Sequence, residues 1–351
     1  MAPKRMKLVH PAPEGLSPAR IALIESINKD CKMLQLPVEI LMEIFSWFSD
    51  EIPPETSGYH NKASREGRQT DQERALRRLY QTCAIWRHLL LARRWKEVKH
   101  QQMFRMLKAS EHMKPAVFAE GLYFATHVRT LRIELVKDHA MNALLVAALK
   151  AMSNLHTFHL LSPEYYFGYN DFPYTTPFNG QTFPQVRSLV LPLYALDILK
   201  CFPKITKITA ACWSEDIRPY NVLGKHCKDV EEFEGFTATG ITVRRLVRLL
   251  PNLRSLKLDL FYFRPVFLDL LRSLSALNQL NHIGIRTHLQ DFEKVKADPD
   301  LLSVIKVAKE ILKGNKATGP KTIGFFHERW DHTEARDVRW DETIIVGEER
   351  Q

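Results

Sequence analysis

The chain has 351 residues, of which 45% are hydrophobic and 26% are charged, ordinary fractions for a soluble globular protein. At roughly 150 residues per domain the length predicts two domains. Its 14 glycines and 19 prolines are too few for a collagen-like or broadly disordered chain, and the formal net charge of +10 directs attention to acidic partners.

The sequence carries no signal for export or for a membrane. No apolar run approaches the roughly 18 residues of a spanning helix, and no apolar core follows the basic residues 4–7, so we expect neither a membrane span nor a secretory signal. The five cysteines are odd in number and widely spaced: Cys31, Cys83, Cys201, Cys212 and Cys227. We therefore expect no disulfide framework and an intracellular location, in the nucleus or cytoplasm.

The basic excess is concentrated in one stretch. Residues 74–108 hold ten lysines and arginines, and Glu97 is their only acid. Such a stretch is either a solvated helical face or a surface for an acidic partner or phosphates. The sequence has no zinc module, ribonucleoprotein-type strand or helix-turn-helix, so nucleic acid is the alternative partner here and a protein the first choice.

The first predicted helix follows a tail, residues 1–32, that we expect to be partly disordered. It begins at Leu36, with Pro37 at the first helical position and Glu39 in the first turn. Residues 49–73 interrupt the pattern with prolines, glycines and charges, which predicts a flexible insertion. Helical spacing then resumes from Leu76, and two such helices are too small to bury a core alone. Their apolar surplus predicts a partner or contact with the next domain.

These two segments together resemble an F-box. The family's Leu-Pro-x-Glu-Ile-Leu-x-x-Ile-Phe helix is matched at residues 36–45, and its second helix by Leu79, Cys83 and Trp86, with Trp95 nine residues further on. The resemblance covers residues 33–99 and departs from the family at the long insertion. The alternative is an ordinary amphipathic helix pair.

The resemblance implies that this segment binds the Skp adaptor and, through it, the cullin of a ubiquitin ligase. The adaptor is acidic, which suits the basic stretch. The implied adaptor-binding residues are Leu36, Pro37, Ile40, Leu41, Ile44, Phe45, Leu79, Cys83, Trp86 and Trp95. Burial of each such aliphatic side chain is worth roughly 1.5–3 kcal/mol.

Beyond residue 128 a short strand-like pattern recurs, in which two apolar residues at a spacing of three are followed, two residues later, by an apolar or small one. The triplets are Val128/Leu131/Ile133, Leu155/Phe158/Leu160, Val186/Leu189/Leu191, Ile205/Ile208/Ala210, Val230/Phe233/Gly235, Leu253/Leu256/Leu258 and Leu280/Ile283/Ile285, with a further strand at 323–326. Helix-like segments lie between triplets, at 138–151, 193–200, 242–250, 265–277 and 299–313. The sequence predicts that Asp138 and Asp298 cap the first and last of these helices.

A strand and a helix every 25 residues or so is typical of leucine-rich repeats, which this part of the chain loosely resembles. The fold class we predict is α/β: all-α F-box helices followed by an irregular leucine-rich-repeat solenoid, or horseshoe. The predicted solenoid spans residues 100–326, and residues 327–351 form a cap or tail. The alternative is a non-repetitive α/β domain.

One predicted loop, residues 162–182, is unusually rich in aromatic side chains. The candidate substrate-binding residues there are Tyr165, Tyr166, Phe167, Tyr169, Phe172 and Tyr174. Large aromatic side chains are favoured at interface hot spots, and the loop is long for a connector. It either captures a substrate or folds back over the repeats.

The sequence offers no catalytic or metal site that we can argue. His327 and His332 are spaced by five, and a zinc-protease helix needs four. The segment 314–322 resembles a phosphate loop but follows a predicted helix. We therefore expect no metal, no cofactor and no enzymatic activity, and we interpret the chain as a substrate-recognition subunit of a Skp–cullin–F-box ubiquitin ligase. The rivals are a basic nuclear scaffold that binds nucleic acid through 74–108, and an enzyme whose site the sequence conceals.

Overall fold

The computed structural model describes residues 90–136, 138–160, 176–213, 218–237, 240–259, 266–287, 292–330 and 336–346. The chain divides into two compact units, Met1–Arg94 and Trp95–Gln351. Of the first unit only residues 90–94 are described, and they are helical. The predicted F-box residues from Leu36 to Trp86 therefore lie outside the described residues.

The second unit alternates strands with helices. Its strands are β1 (Glu97–Val98), β2 (Thr130–Ile133), β3 (Thr157–Leu160), β4 (Ser188–Pro192), β5 (Lys207–Trp213), β6 (Glu232–Thr237), β7 (Ser255–Asp259), β8 (His282–Arg286), β9 (Thr322–Trp330) and β10 (Arg336–Ile345). Its α-helices are α1 (His100–Ala109), α2 (Pro115–Glu120), α3 (His139–Ala151), α4 (Arg218–His226), α5 (Gly240–Leu249), α6 (Val266–Arg272), α7 (Phe292–Ala297) and α8 (Pro299–Gly314). Short 3₁₀ helices are Ala125–His127, Thr176–Phe178, Leu193–Cys201 and Ser273–Ala276.

The ten strands of the described residues form one sheet, and their order in space is their order in the chain. Strands β1 to β9 pair in parallel, and β10 returns antiparallel to β9. The second unit is thus mixed α/β with an open, mostly parallel sheet. The sheet extends past both limits of the predicted solenoid: β1 precedes residue 100, and β9 and β10 carry it beyond 326.

The second and third members of every predicted triplet lie in a strand, and the first members lie in the turns before it. The middle residues lie side by side across the sheet, in one row with a residue of β1 and one of β9. This row of register partners is Val98, Leu131, Phe158, Leu189, Ile208, Phe233, Leu256, Ile283 and Ile323. Each is no more than 1% exposed. A parallel sheet is stable only when its apolar residues are covered, and here the same residues share one core with buried side chains of α3, α5, α6 and α8.

The turns from helix to strand repeat one backbone pattern. Five residues separate the helical segment from the next strand at 152–156, 202–206, 227–231, 250–254 and 277–281. In the first four, the last carbonyl accepts from two amides of the next repeat, those of the residue before the strand and of the strand's first residue. Thr206 O, for example, accepts from Glu231 N and Glu232 N at 2.8 and 3.0 Å. These bonds pair backbone groups that the short strands leave without a partner inside the ladder.

The helix predictions hold at both capped ends. Asp138 accepts from Ala140 N and Met141 N at 2.8 and 3.1 Å, and Asp298 accepts from Asp300 N and Leu301 N at 2.9 and 3.1 Å. The segment 193–200 is a 3₁₀ helix instead of an α-helix. Only 14 residues join β4 to β5, and a 3₁₀ helix rises about 2.0 Å per residue against 1.5 Å, so it spans more distance with fewer residues.

We expect Asp138→Ala and Asp298→Ala each to lower the free energy of unfolding by about 1 kcal/mol, because each aspartate satisfies two otherwise unpaired helix amides. Chemical denaturation followed by circular dichroism measures the loss. The matched controls are Asp138→Asn and Asp298→Asn, which keep an acceptor oxygen and should retain most of the stability. Equal losses in the asparagine and alanine variants would contradict the capping role.

Candidate functional site

The residues that alternate with the buried row form a second, polar face of the sheet. Its first row of register partners is Ser188, Lys207, Glu232, Ser255, His282 and Thr322, and its second row is Val190, Thr209, Glu234, Lys257, Gly284 and Gly324. We call these two rows the polar face. Because successive residues of a strand point to opposite sides, the same repeats that build the core also present this face.

Glu234, on β6, is the centre of an ion-pair cluster on the polar face. Its side chain is 3% exposed, and its Oε1 lies 2.6 Å from Lys207 Nζ on β5. Lys257 Nζ, directly opposite on β7, lies 3.9 Å from Glu234 Oε2. Lys207 also reaches Glu232 Oε2 at 3.1 Å. Two lysines therefore balance two glutamates, as a nearly buried carboxylate requires.

A β-bulge next to Glu234 positions its carboxylate between the two lysines. Gly235, which follows Glu234, has φ of +82°, and the pairing with β7 shifts there so that Phe236 lies opposite Leu258. Gly235, the third member of its predicted triplet, lies in the strand but outside the register of its neighbours, because the bulge adds one residue. The extra residue changes the direction of the strand beside the charged cluster.

The electrostatic environment of Lys207 follows from this geometry. Partial burial lowers its pKa, but the negative charges and hydrogen bonds of Glu234 and then Glu232 raise it, and the pKa lies above its ordinary value of 10.5. Lys207 is thus a fixed cation at neutral pH. It serves as a charge and hydrogen-bond donor and does not suit the role of a general base.

An aromatic ring borders the cluster on the side of β9. Phe326 is 3% exposed, and Lys257 Nζ lies 5.1 Å from its ring centroid, within cation–π range. Gly284 makes room for this contact: a Cβ there would lie 2.6 Å from Lys257 Cγ and 3.2 Å from Phe326 Cε1. The glycine therefore lets the lysine lie across the sheet toward the ring.

A histidine side chain fills the space beside Gly324, the glycine that pairs with Gly284 on the adjacent strand. The ring of His282 lies beside Gly324, where a Cβ would come within 2.9 Å of His282 Cε1. His282 Nδ1 and Thr322 Oγ1 are 2.8 Å apart. At the other end of the sheet, Arg132 pairs with Glu97 at 2.7 Å. The polar face thus offers charges of both signs and hydrogen-bonding groups, which suit the side chains of a protein partner.

The sequence did not single out these residues. Lys207, Glu232, Glu234 and Lys257 each stand between two members of a predicted triplet, and strand alternation alone would have put them on one face. Their mutual contacts required the register between strands. The bulge beside Glu234 was likewise invisible in the spacing of the triplets.

The sequence-predicted site residues fall mostly outside the described structure. This is so for nine of the ten adaptor-binding residues, from Leu36 to Trp86, and for all six aromatic residues of the candidate substrate loop. Trp95 is described, and its ring stacks on Phe124 with centroids 3.9 Å apart at the start of the second unit. Phe178, near the end of the aromatic loop, is fully buried and contacts Phe183, so that end of the loop belongs to the core.

The cysteines that the structure describes in detail are buried. Cys201 donates its Sγ hydrogen to the carbonyl of Phe178 at 3.2 Å. Burial raises the pKa of Cys201, although the nearby Lys200 opposes this, and burial alone raises the pKa of Cys227 to about 12. Neither thiol is placed to be a nucleophile at neutral pH. Within the described ranges no three histidine, cysteine or acidic side chains are grouped so as to hold a metal ion.

Among the helices that the structure describes, none has the length and apolar character needed to cross a bilayer.

The comparisons with known proteins leave the family open. A scan against protein-family models finds no family that matches the chain. A search of curated proteins likewise finds no significant match.

Proposed function

We propose that this protein is a substrate-recognition subunit of a Skp–cullin–F-box ubiquitin ligase. In this proposal residues 33–99 are an F-box that holds the Skp adaptor, and the second unit from residue 100 onward is an irregular leucine-rich-repeat domain that holds a protein substrate. The mechanism is positional: the chain raises the local concentration of substrate near the conjugating enzyme and carries out no chemistry itself.

The observation that carries the proposal is the order of the sheet. Each strand pairs with the strands that precede and follow it in the chain, and five of the helix-to-strand turns have the same length. This is the behaviour of stacked repeats, each of which covers its neighbour's apolar side. Repeats of this kind behind an F-box-like sequence support the pairing of adaptor-binding and substrate-binding parts.

The polar face is the surface we propose for the substrate. Its charges are fixed in place by one another and by β-strands, so little side-chain freedom remains to be lost on binding. Lys207, Lys257 and Glu232 are 38%, 24% and 49% exposed and give it a pattern of charges of both signs. The aromatic loop at 162–182 stays a prediction for an additional contact.

The decisive experiment is co-expression of the full chain with a Skp adaptor, followed by affinity capture at low and high salt. We expect a stoichiometric complex that survives high salt, because the contact is apolar. The double variant Leu36→Ala/Pro37→Ala should lose affinity on the order of a hundredfold, since each truncated side chain contributes roughly 1.5 kcal/mol or more.

A matched control keeps the result specific. Ile241 and Leu302 are 68% and 48% exposed in the second unit, so Ile241→Ala/Leu302→Ala removes similar apolar groups elsewhere and should leave the complex intact. Failure of the unaltered chain to bind the adaptor at either salt would overturn the proposal. A complex with nucleic acid that weakens steeply with salt, through residues 74–108, would favour the rival scaffold.

A further inference from the structure

A row of basic side chains follows one edge of the sheet in the second unit. This is the edge at which each helix ends and the next strand begins. Between α3 and β7 seven exposed cations lie there, in the last helical turns or in the five-residue loops. Arg254 pairs with Glu231 of the neighbouring loop, and the other six are Lys150, Lys200, Lys204, Lys225, Lys228 and Arg248. We call these six residues the basic rim. Two exposed carboxylates, Asp197 and Asp229, lie in the same segments, so the rim keeps a clear positive excess.

Helix stability accounts for only part of this row. A cation in the last turn of a helix interacts favourably with the helix dipole, which explains Lys150, Lys225 and Arg248. The dipole gives no reason for Lys204 and Lys228, which lie in the loops beyond the helices. In the part of the chain that the structure describes, Lys225, Lys228 and Arg248 make no ion pair.

The positive charges are close enough to act on a common neighbour. The pKa of His226, at the end of α4, is lowered first by burial and then by the charges of Lys225 and Lys200. Lys200 belongs to the preceding 3₁₀ helix, so charges from successive repeats sum at this edge. Helix α5 is tied to α4 by a hydrogen bond from Arg245 to Asn221, and Arg248 lies in the last turn of α5.

The shape of the rim fits an extended chain. Neighbouring helices pack about 8–10 Å apart, so the rim from α3 to α5 is roughly 30 Å long, or about nine residues of extended polypeptide. Single-stranded nucleic acid would in addition need aromatic rings on which to stack its bases. Phe202, the phenylalanine of the described rim loops, is fully buried and cannot stack on a base.

We propose that the basic rim binds an acidic, extended segment of a partner protein. The binding is a second interaction, on a different surface from the polar face, and it does not require the F-box. Side chains of aspartate and glutamate on the partner would pair with successive cations, and the repeat spacing would select for spaced acidic residues over a single charge.

The test uses the full chain and a fluorescein-labelled polyglutamate peptide of about twelve residues, with fluorescence anisotropy as the readout. We expect binding that weakens as salt rises. The triple variant Lys204→Glu, Lys225→Glu and Lys228→Glu should bind at least roughly tenfold more weakly, because it replaces attraction by repulsion at exposed positions.

The control has the same change of charge away from the rim. Lys114→Glu, Lys306→Glu and Lys309→Glu should keep the affinity of the unaltered chain, and circular dichroism of both triple variants should match it. Three results would overturn the proposal: no peptide binding by the unaltered chain, equal weakening in the two variants, or tighter binding of a single- or double-stranded oligonucleotide of matched charge.

The outcome is independent of the adaptor experiment. Both triple variants should still capture the Skp adaptor if the proposed function holds. Peptide binding without adaptor capture would overturn the ligase proposal and support the proposal for the basic rim. Adaptor capture without peptide binding would support the ligase proposal and overturn the one for the rim.

Discussion

Replacing Gly235 by alanine is expected to lower the free energy of unfolding of the second unit by about 2–4 kcal/mol. The residue has φ of +82°, where an L side chain costs about 1–2 kcal/mol. A Cβ at this position would also lie 2.5 Å from the carbonyl oxygen of Ala210. That neighbour is backbone of the adjacent strand, so it cannot move aside without disturbing the pairing of β5 with β6.

A second glycine separates the conformational cost of the substitution from the cost of the steric clash. Gly180 has φ of +74°, but a Cβ there would meet no heavy atom within 4 Å. Gly180→Ala should therefore cost only about 1 kcal/mol, the conformational part. Chemical denaturation of both variants followed by circular dichroism gives the comparison. Similar losses for the two variants would mean that the bulge carries no packing constraint.

Glu234→Gln is expected to destabilise the second unit by about 2–3 kcal/mol. Removing one partner of a buried ion pair costs roughly 3–5 kcal/mol, because the other charge is left without compensation. We place the loss below that range since Lys207 and Lys257 are 38% and 24% exposed and can partly hydrate. The control is Glu232→Gln: this glutamate pairs with the same lysine but is 49% exposed, so it should cost less than about 1 kcal/mol.

The pH dependence of the Glu234→Gln effect tests its electrostatic origin. The pKa of Lys207 is raised by folding, so the stabilising charge is fully present below the ordinary value of 10.5 and is lost as the pH rises through the folded value. The difference in unfolding free energy between the unaltered chain and the variant should therefore narrow above pH 10.5. A difference that stayed constant would point to lost packing instead.

The core of the second unit was readable from the sequence because two constraints coincide there. A parallel strand buried by helices needs apolar residues at every second position, and a repeat places them at the same point of each unit. The triplets at 131–133 and 283–285 thus predicted both the strand and its inward residues. Helix α8 was equally clear, since Asp298 and Pro299 mark its start.

Other elements lacked such a signal. Strand β1 has two residues, which are too few to show an alternation of apolar and polar residues. Helix α4 has only nine residues, and one of its interior residues is Gly224, a weak helix former, so its stability comes from packing instead of propensity. Strand β10 mixes charges and apolar residues without a triplet, and its place depends on antiparallel pairing with β9.

The candidate site was hidden for a further reason. A glutamate between two apolar strand residues normally indicates a solvated side chain. Glu234 is buried because Lys207 and Lys257 come from the two adjacent strands, and such a meeting depends on register over 50 residues of chain. The chemistry of the polar face is a property of neighbouring repeats, which no single repeat displays.

The sequential order of the strands has a consequence for how the second unit gains and loses its structure. Since every strand pairs only with its predecessor and successor in the chain, most contacts close loops of about one repeat, and the entropy cost of each closure is modest. Folding can therefore start at any well-packed pair of repeats and spread in both directions. For the same reason, a destabilising substitution in one repeat should divide the array into two segments that unfold separately. The unfolding transition should then lose cooperativity before the fold itself is lost.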